Sequence, residues 1–233
     1  MDKKQPQLTG LCLLGSSEIL LADEQNKKLK RFSLQGKFKG TVPVPSNMAP
    51  FSVAAVGNRV LFTAGSQLYA LNETGGIMWQ KALKGGQASH TLTTCDGDCM
   101  VLSVAGHLEV FNLKGQLLER IVPEGSHDRS LVFLGRWKEG FVASDWYRRN
   151  GDLVAEYRER QLGESQPGSV CADAPGIVYV VLRELNKEEL GSFLTTENSI
   201  FKPRLVTIAR EGHFVVALIN STIHVFKVKY QGK

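Results

Sequence analysis

Four cysteines, five histidines and a scatter of carboxylates are the groups in this 233-residue chain that could do chemistry. Cys95 and Cys99 form the one close thiol pair, in the run Cys95-Asp96-Gly97-Asp98-Cys99, while Cys12 and Cys171 stand far off in sequence. A structural zinc site needs four converging ligands, so the pair is an incomplete set. The Asp96-Gly97 step reads instead as the two-residue turn of a β-hairpin. His90, His107, His127, His213 and His224 compose no His-Glu-x-x-His set, and no Gly-x-Ser-x-Gly elbow presents a nucleophile. No secretory apolar stretch follows Met1-Asp2-Lys3-Lys4, so the thiols are expected to be reduced, the location cytoplasmic and the Asn72 and Asn220 sequons unused. The expectation is a domain that is not an enzyme, with no metal and no cofactor.

Binding chemistry has more to work with. Lys and Arg number 28 against 23 Asp and Glu, a net charge of +5, a mild bias that is compatible with nucleic acid but not diagnostic of it. The cluster Trp146-Tyr147-Arg148-Arg149 concentrates it. Aromatic rings stack on unpaired bases while guanidinium groups grip phosphate, a contact of about 1–3 kcal/mol per stacked base. The same residue types also dominate protein–protein hot spots. Loop lysines and arginines that merely meet solvent, and a Trp146 ring tucked into the core, are the structural alternatives.

What must position these residues is a set of short strands. The chain is 42% hydrophobic and 22% charged, which excludes disorder, collagen and coiled coil, and its longest apolar runs, such as 177–182, are far short of the ~20 residues that span a bilayer. β-Branched and aromatic runs alternate with Gly, Asn, Asp and Pro turns, so the fold class is all-β. The strongest runs begin at residues 18, 59, 99, 140, 177 and 213. Six copies at a period of about forty residues predict a six-bladed β-propeller with about four antiparallel strands, a to d, per blade. Strand a is expected at 11–14, 52–56, 91–95, 131–134, 169–172 and 205–208. Strand b is nearly continuously apolar because neighbouring blades cover both its faces. The predicted blades are 8–45, 50–84, 89–124, 129–165, 168–202 and 204–233, one domain over 1–233, with residues 1–7 closing the ring by adding an outer strand to the sixth. Repeat four has an expanded b–c connection at 145–152, and 183–189 fits a short helical turn.

The first repeat carries a more specific pattern: Pro6-Gln7-Leu8-Thr9-Gly10-Leu11, then Glu18-Ile19-Leu20-Leu21-Ala22-Asp23, then Asn26-Lys27-Lys28-Leu29-Lys30-Arg31-Phe32, then Gln35-Gly36-Lys37-Phe38. It resembles an NHL repeat. The strand pattern extends over the whole chain, the motif itself only over residues 6–40. A degenerate NHL-like propeller of this size is similar to the C-terminal domain of tripartite-motif E3 ubiquitin ligases. The resemblance implies an intracellular, antiviral or innate-immunity ligase whose RING, B-box and coiled-coil parts carry catalysis and oligomerisation while the propeller recognises RNA or protein. This chain would then be a monomeric recognition domain with no membrane insertion. Its partners would be RNA, bound through a basic loop face, or protein substrates without nucleic acid.

In a propeller the b–c and d–a connections emerge on one face, and loops on a rigid scaffold are where recognition concentrates. The candidate binding residues gathered there are Lys27, Lys28, Trp146, Tyr147, Arg148, Arg149, Lys202 and Arg204, with Lys84, His127, Arg129, Arg183 and Lys187 alongside. Propeller hydrolases place oxygen ligands for calcium at a channel mouth. Asp23, Asp145 and Glu184 fall at such positions, but Ala64, Ala105 and Leu218 occupy the matching ones, so the constellation is incomplete. In NHL-type repeats the resemblance assigns the Asp23 position to bracing the following turn.

Overall fold

Gly, Asn and Asp punctuation divides the chain into six antiparallel sheets in sequence order. The computed structural model describes residues 2–45, 48–83, 91–95, 98–102, 107–122, 135–137, 140–142, 146–148, 153–155, 167–172, 178–182, 203–208, 213–218 and 222–227. Sheet one contains β1 (Leu8–Leu14), β2 (Glu18–Asp23), β3 (Lys28–Ser33) and β4 (Phe38–Val42). Sheet two is β5 (Ser52–Val56), β6 (Arg59–Ala64), β7 (Gln67–Leu71) and β8 (Ile77–Ala82); sheet three is β9 (Thr91–Cys95), β10 (Asp98–Leu102), β11 (Leu108–Phe111) and β12 (Leu117–Ile121). Sheet four is β13 (Gly135–Trp137), β14 (Gly140–Val142), β15 (Trp146–Arg148) and β16 (Leu153–Ala155). Among the described residues sheet five is β17 (Pro167–Ala172) and β18 (Val178–Leu182), and sheet six is β19 (Pro203–Ile208), β20 (His213–Leu218) and β21 (Ile223–Lys227). First strands lie against one another in the cyclic order β1, β5, β9, β13, β17, β19 and back to β1. That cycle is a six-bladed propeller.

The second strands show why the ring holds. In β2, Ile19, Leu20, Leu21 and Ala22 are all 0–1% exposed. Leu20 and Ala22 pack with Val53, Val60, Phe62 and Tyr69 of blade two, whereas Ile19 and Leu21 pack with Val215 and Ala217 of blade six. Successive side chains of a strand leave opposite faces, so one apolar strand supplies two cores. β6 repeats the arrangement, with Val60 and Phe62 toward blade one and Leu61 toward Leu92 and Phe111 of blade three. The ring of Phe62 stacks on Tyr69 at 5.0 Å, and burying such a side chain is worth about 1.5–3 kcal/mol.

The turns between third and fourth strands recur almost atom for atom. Ser33, Asn72 and Asn112 each donate their backbone N–H to the carbonyl four residues on. Their side-chain oxygens accept the N–H groups of Gln35 and Lys37, of Thr74 and Gly76, and of Lys114 and Gln116. The fourth residue of each is glycine, at φ 81°, 84° and 75° for Gly36, Gly75 and Gly115. A side chain there is strained in the left-handed region. Two of these glycines also seat the preceding blade: a Cβ on Gly75 would lie 2.5 Å from Pro43 Cδ, and one on Gly115 would lie 2.6 Å from Trp79 Cδ2. The Trp79 Nε1 and Arg59 Nη1 groups both donate to the Leu113 carbonyl, at 3.0 and 3.2 Å.

Two expectations change, the loop reading of 146–148 and the closure of the ring by residues 3–7. Residues 146–148, read as part of a loop, are the third strand of blade four, paired with β14 and β16, because the β-formers Trp146 and Tyr147 follow a short connection. Its described first strand is 135–137, and the expected strand at 131–134 lies outside the described residues. Residues 3–7 form no strand beside β21: Glu24 N donates to Gln7 O and Asn26 Nδ2 to Lys4 O, which ties this segment to the β2–β3 turn of its own blade. The ring closes instead through β1 against β19. Cys95 pairs with Asp98 and Cys99 with Thr94, the register of a two-residue hairpin, so the two cysteines are one step out of alignment. The proposed helical turn at 183–189 lies outside the described residues.

Candidate recognition face

The ladder places Asp23 opposite Lys28 and Leu8 opposite Asp23, so second strands end and first and third strands begin on one face of the ring. On blade one that face is built around Asp23, whose carboxylate is completely buried. It accepts the N–H groups of Gln7 (3.1 Å) and Asn26 (3.2 Å), the Asn26 Nδ2 (2.9 Å) and the Lys30 Nζ (2.5 Å). A buried charge is tolerated only with such full pairing. Asp23 therefore braces the β2–β3 turn, and its oxygens are spent on the protein itself. Asp145 and Glu184 lie outside the described residues.

Lys30 sits between two acids, 2.5 Å from both Asp23 and Asp2, with only 8% of its side chain exposed. Asp2 also pairs with Lys28 at 3.0 Å. Burial works against the Lys30 ammonium, but its hydrogen bonds to Asp2 and Asp23 and their charges hold the amine above the ordinary lysine range. The hydrogen bond from Lys30 outweighs burial at Asp2 and, with Lys28, keeps that carboxyl below the usual carboxylate range. Asn26 completes the strap, donating to the Lys4 carbonyl and accepting the Lys4 N–H. Residues 2–7 are thus clamped over the turn by both charge and backbone contacts.

Lys27 belongs to the same turn, its backbone N–H donating to the Glu24 carbonyl at 3.2 Å. It is exposed, and its φ of 55° makes it the one non-glycine left-handed residue among those described. That conformation costs about 1–2 kcal/mol for a residue with a Cβ. Elsewhere on the same face the topology brings the starts of β15 and β19. Trp146 is registered opposite Val142 at this end, but Arg148 is opposite Gly140, at the other end of the strand. The tripeptide Trp146-Tyr147-Arg148 therefore runs across the blade instead of clustering on one face. Arg204 follows Pro203 at a bulge in the β19–β20 ladder, at the opening of the first strand. Arg149 and Lys202, with Lys84, His127, Arg129, Arg183 and Lys187, lie outside the described residues.

Sequence reasoning missed two features. Bulges at Leu8/Gly10, Pro167/Ser169 and Pro203/Leu205 mark one position in three first strands, and two of them open on proline. The more consequential miss is apolar exposure on the outer strands: Phe38 (55%), Ile77 (50%), Met78 (43%), Leu117 (43%) and Leu118 (51%) all face solvent just after the repeated turn. The signal was present as large apolar residues directly after each Gly-marked turn.

No protein-family model matches the chain. It is 44% identical over 98% of its length to E3 ubiquitin-protein ligase TRIM56 of Homo sapiens, and 43% identical over 98% to that of Mus musculus. It spans about a third of these relatives, 33% and 34% of their lengths. Among solved structures, virginiamycin B lyase from Staphylococcus aureus superposes with TM-score 0.64 at 11% identity, covering 98% of this chain and 87% of that one. The WD40 β-propeller domain of Doa1 gives 0.67 at 10% identity, covering 98% and 95%. These likenesses show the propeller fold alone.

Proposed function

We propose that this chain, matched along nearly all its length to a third of the TRIM56 ligases, is the recognition domain of a tripartite-motif E3 ubiquitin ligase that contacts RNA through the face holding Lys27 and Lys28. Ligase activity, an antiviral innate-immune role and a cytoplasmic location belong to the same reading and rest on that relationship. The observation that carries the RNA contact is the exposed, left-handed Lys27 beside Lys28 on the face where β15 and β19 also begin. Recognition of this kind uses charge and stacking and needs no cofactor in the domain. Binding of a single-stranded RNA across a salt series tests it. The wild-type affinity should fall steeply with salt, and Lys27→Glu with Lys28→Glu should flatten the slope by about two phosphate contacts. An affinity indifferent to salt, or to this pair, ends the assignment. A second reading, docking of protein partners, is favoured by the solvent-facing Phe38, Ile77, Met78, Leu117 and Leu118.

A further inference from the structure

The outer strands β4, β8 and β12 each end their sheet, so each has one edge without a ladder partner among the described residues. Such an edge is a template for pairing with another chain unless it is guarded by charge, proline, glycine kinks or short length. β4 is guarded: Gly40 has φ 134°, Lys39 is exposed, and Phe38 leans edge-on against Phe32 at 5.3 Å. β12 carries Glu119 and Arg120, the latter bonded to Glu109 at 3.0 Å. β8 is the least guarded: its first four residues carry neither charge nor glycine, and Lys81 stands alone toward its end. It reads Ile77-Met78-Trp79-Gln80-Lys81-Ala82, with every residue exposed except half-buried Trp79, which is held by the next blade through Gly115 and the Leu113 carbonyl. The strand is therefore pinned in extended form with its apolar half outward.

We infer that β8 is a docking strand that accepts an extended segment of a partner protein as a fifth strand of blade two, the segment being apolar where it meets Ile77 and Met78 and acidic where it meets Lys81. Strand addition supplies affinity through backbone hydrogen bonds and specificity through the side chains at alternate positions. The charge preference follows from the surroundings. Lys81 is exposed at the far half of β8, and exposed Lys114 stands in the turn that receives Trp79. Neither makes an ion pair among the described residues. Glu73 lies in the turn before Ile77 and takes a hydrogen bond from Asn58. A segment carrying a carboxylate thus meets Lys81 at one end of β8 and apolar surface at the other. A lipid surface fits the exposed isoleucine and methionine but not the bare edge, because hydrocarbon leaves backbone N–H and C=O groups unsatisfied. The inference does not depend on RNA binding, since β8 is an outer strand and Lys27 and Lys28 belong to the turn and third strand of blade one.

A displayed library of random ten-residue peptides, selected on the whole 233-residue chain and counter-selected on Ile77→Lys with Met78→Lys, tests it. Both replaced side chains face solvent, and an unchanged melting temperature confirms that the variant folds. The expected peptides combine carboxylates with β-branched residues, lose at least tenfold in affinity on the double variant, and slow amide exchange within 77–82. Lys81→Glu should weaken them further, while Phe38→Lys on β4 should leave them unaffected. The inference is overturned if no peptide enriches, if the winners bind both proteins equally, or if they lack acidic residues. It is also overturned if light scattering shows a self-dimer that the double variant dissolves, which would assign the edge to a second copy. Sedimentation with phosphatidylserine vesicles that depends on Ile77 and Met78 would assign it to a membrane and overturn it as well.

Discussion

Alanine at Gly36, Gly75 and Gly115 separates what the turn demands from what the neighbouring blade demands. All three glycines hold nearly the same left-handed backbone, at φ 81°, 84° and 75°. A Cβ at Gly36 meets nothing within 4 Å, so Gly36→Ala adds only backbone strain. Strain of about 1–2 kcal/mol, offset by about 0.4–1 kcal/mol from a stiffer unfolded chain, leaves a net loss of about 1 kcal/mol. At Gly115 the same Cβ lands 2.6, 2.9 and 3.0 Å from atoms of the Trp79 indole. The ring must swing away, breaking its 3.0 Å bond to the Leu113 carbonyl and leaving its seat on the turn. Losing that bond costs about 1 kcal/mol and the lost packing a comparable amount, so Gly115→Ala should destabilise by about 3 kcal/mol. At Gly75 the obstacle is Pro43, whose ring is fixed to its own backbone, so relief requires the chain to move and the loss should be at least as large. Thermal melts in parallel should show a drop of about 2–4 °C for Gly36→Ala and about 6–12 °C for Gly115→Ala. The double variant Gly115→Ala with Trp79→Ala should fall short of the summed losses, because the indole that the new methyl strikes is gone. Equal melting temperatures for the three alanines, or strict additivity of the pair, would refute the view that these turns are sockets between blades.

Other consequences concern the clamp at blade one. Asp23→Ala leaves the Lys30 ammonium to Asp2 alone and strands several N–H donors at a buried site, and a urea titration should show a loss of about 3 kcal/mol. Lys27→Gly should raise stability by about 1 kcal/mol by relieving the left-handed backbone, read as a higher melting temperature, while removing the most prominent cation of the proposed RNA face. The strap of residues 2–7 should hold between two pH limits, checked by amide exchange at Gln7 and Glu24. On the acid side its contribution is fully present above the ordinary aspartate pKa and fades as pH falls through the lowered value of Asp2; on the basic side it is full below the ordinary lysine pKa and fades as pH rises through the raised value of Lys30. Asp2→Asn should abolish the acid-side fading at the strap.

Period and polarity made the ring legible. The second strands are marked by apolar residues on both faces, and runs such as 18–22 and 59–63 have no other soluble home than between two sheets, which is where Leu20 and Leu61 are found. The turn glycines were readable too, since only glycine rests easily at φ near 80°. Blade four escaped because Trp146, Tyr147 and Arg148 satisfy a binding motif and a strand equally well, and residue type alone does not say which. The strap escaped for another reason: Asp2 and Lys30 are joined by folding across 28 positions, and nothing local marks them as partners. The exposed Ile77 and Met78 show the limit of polarity itself, because an apolar strand predicts burial whether its cover comes from this chain or from another.

The alternation of β2 between two neighbours bears on how the protein is made. Ile19 and Leu21 are made well before Val215 and Ala217, the blade-six residues that complete their core. Until then the leading blade is half wet, and closing so long a loop delays the contact that dries it. An open array of repeats solves this with polar caps at its ends. A ring has no ends to cap once complete, and for that reason offers no protection while incomplete. A chain cut short before residue 213 should keep most of its blades and still aggregate, with blade one as the sticky surface.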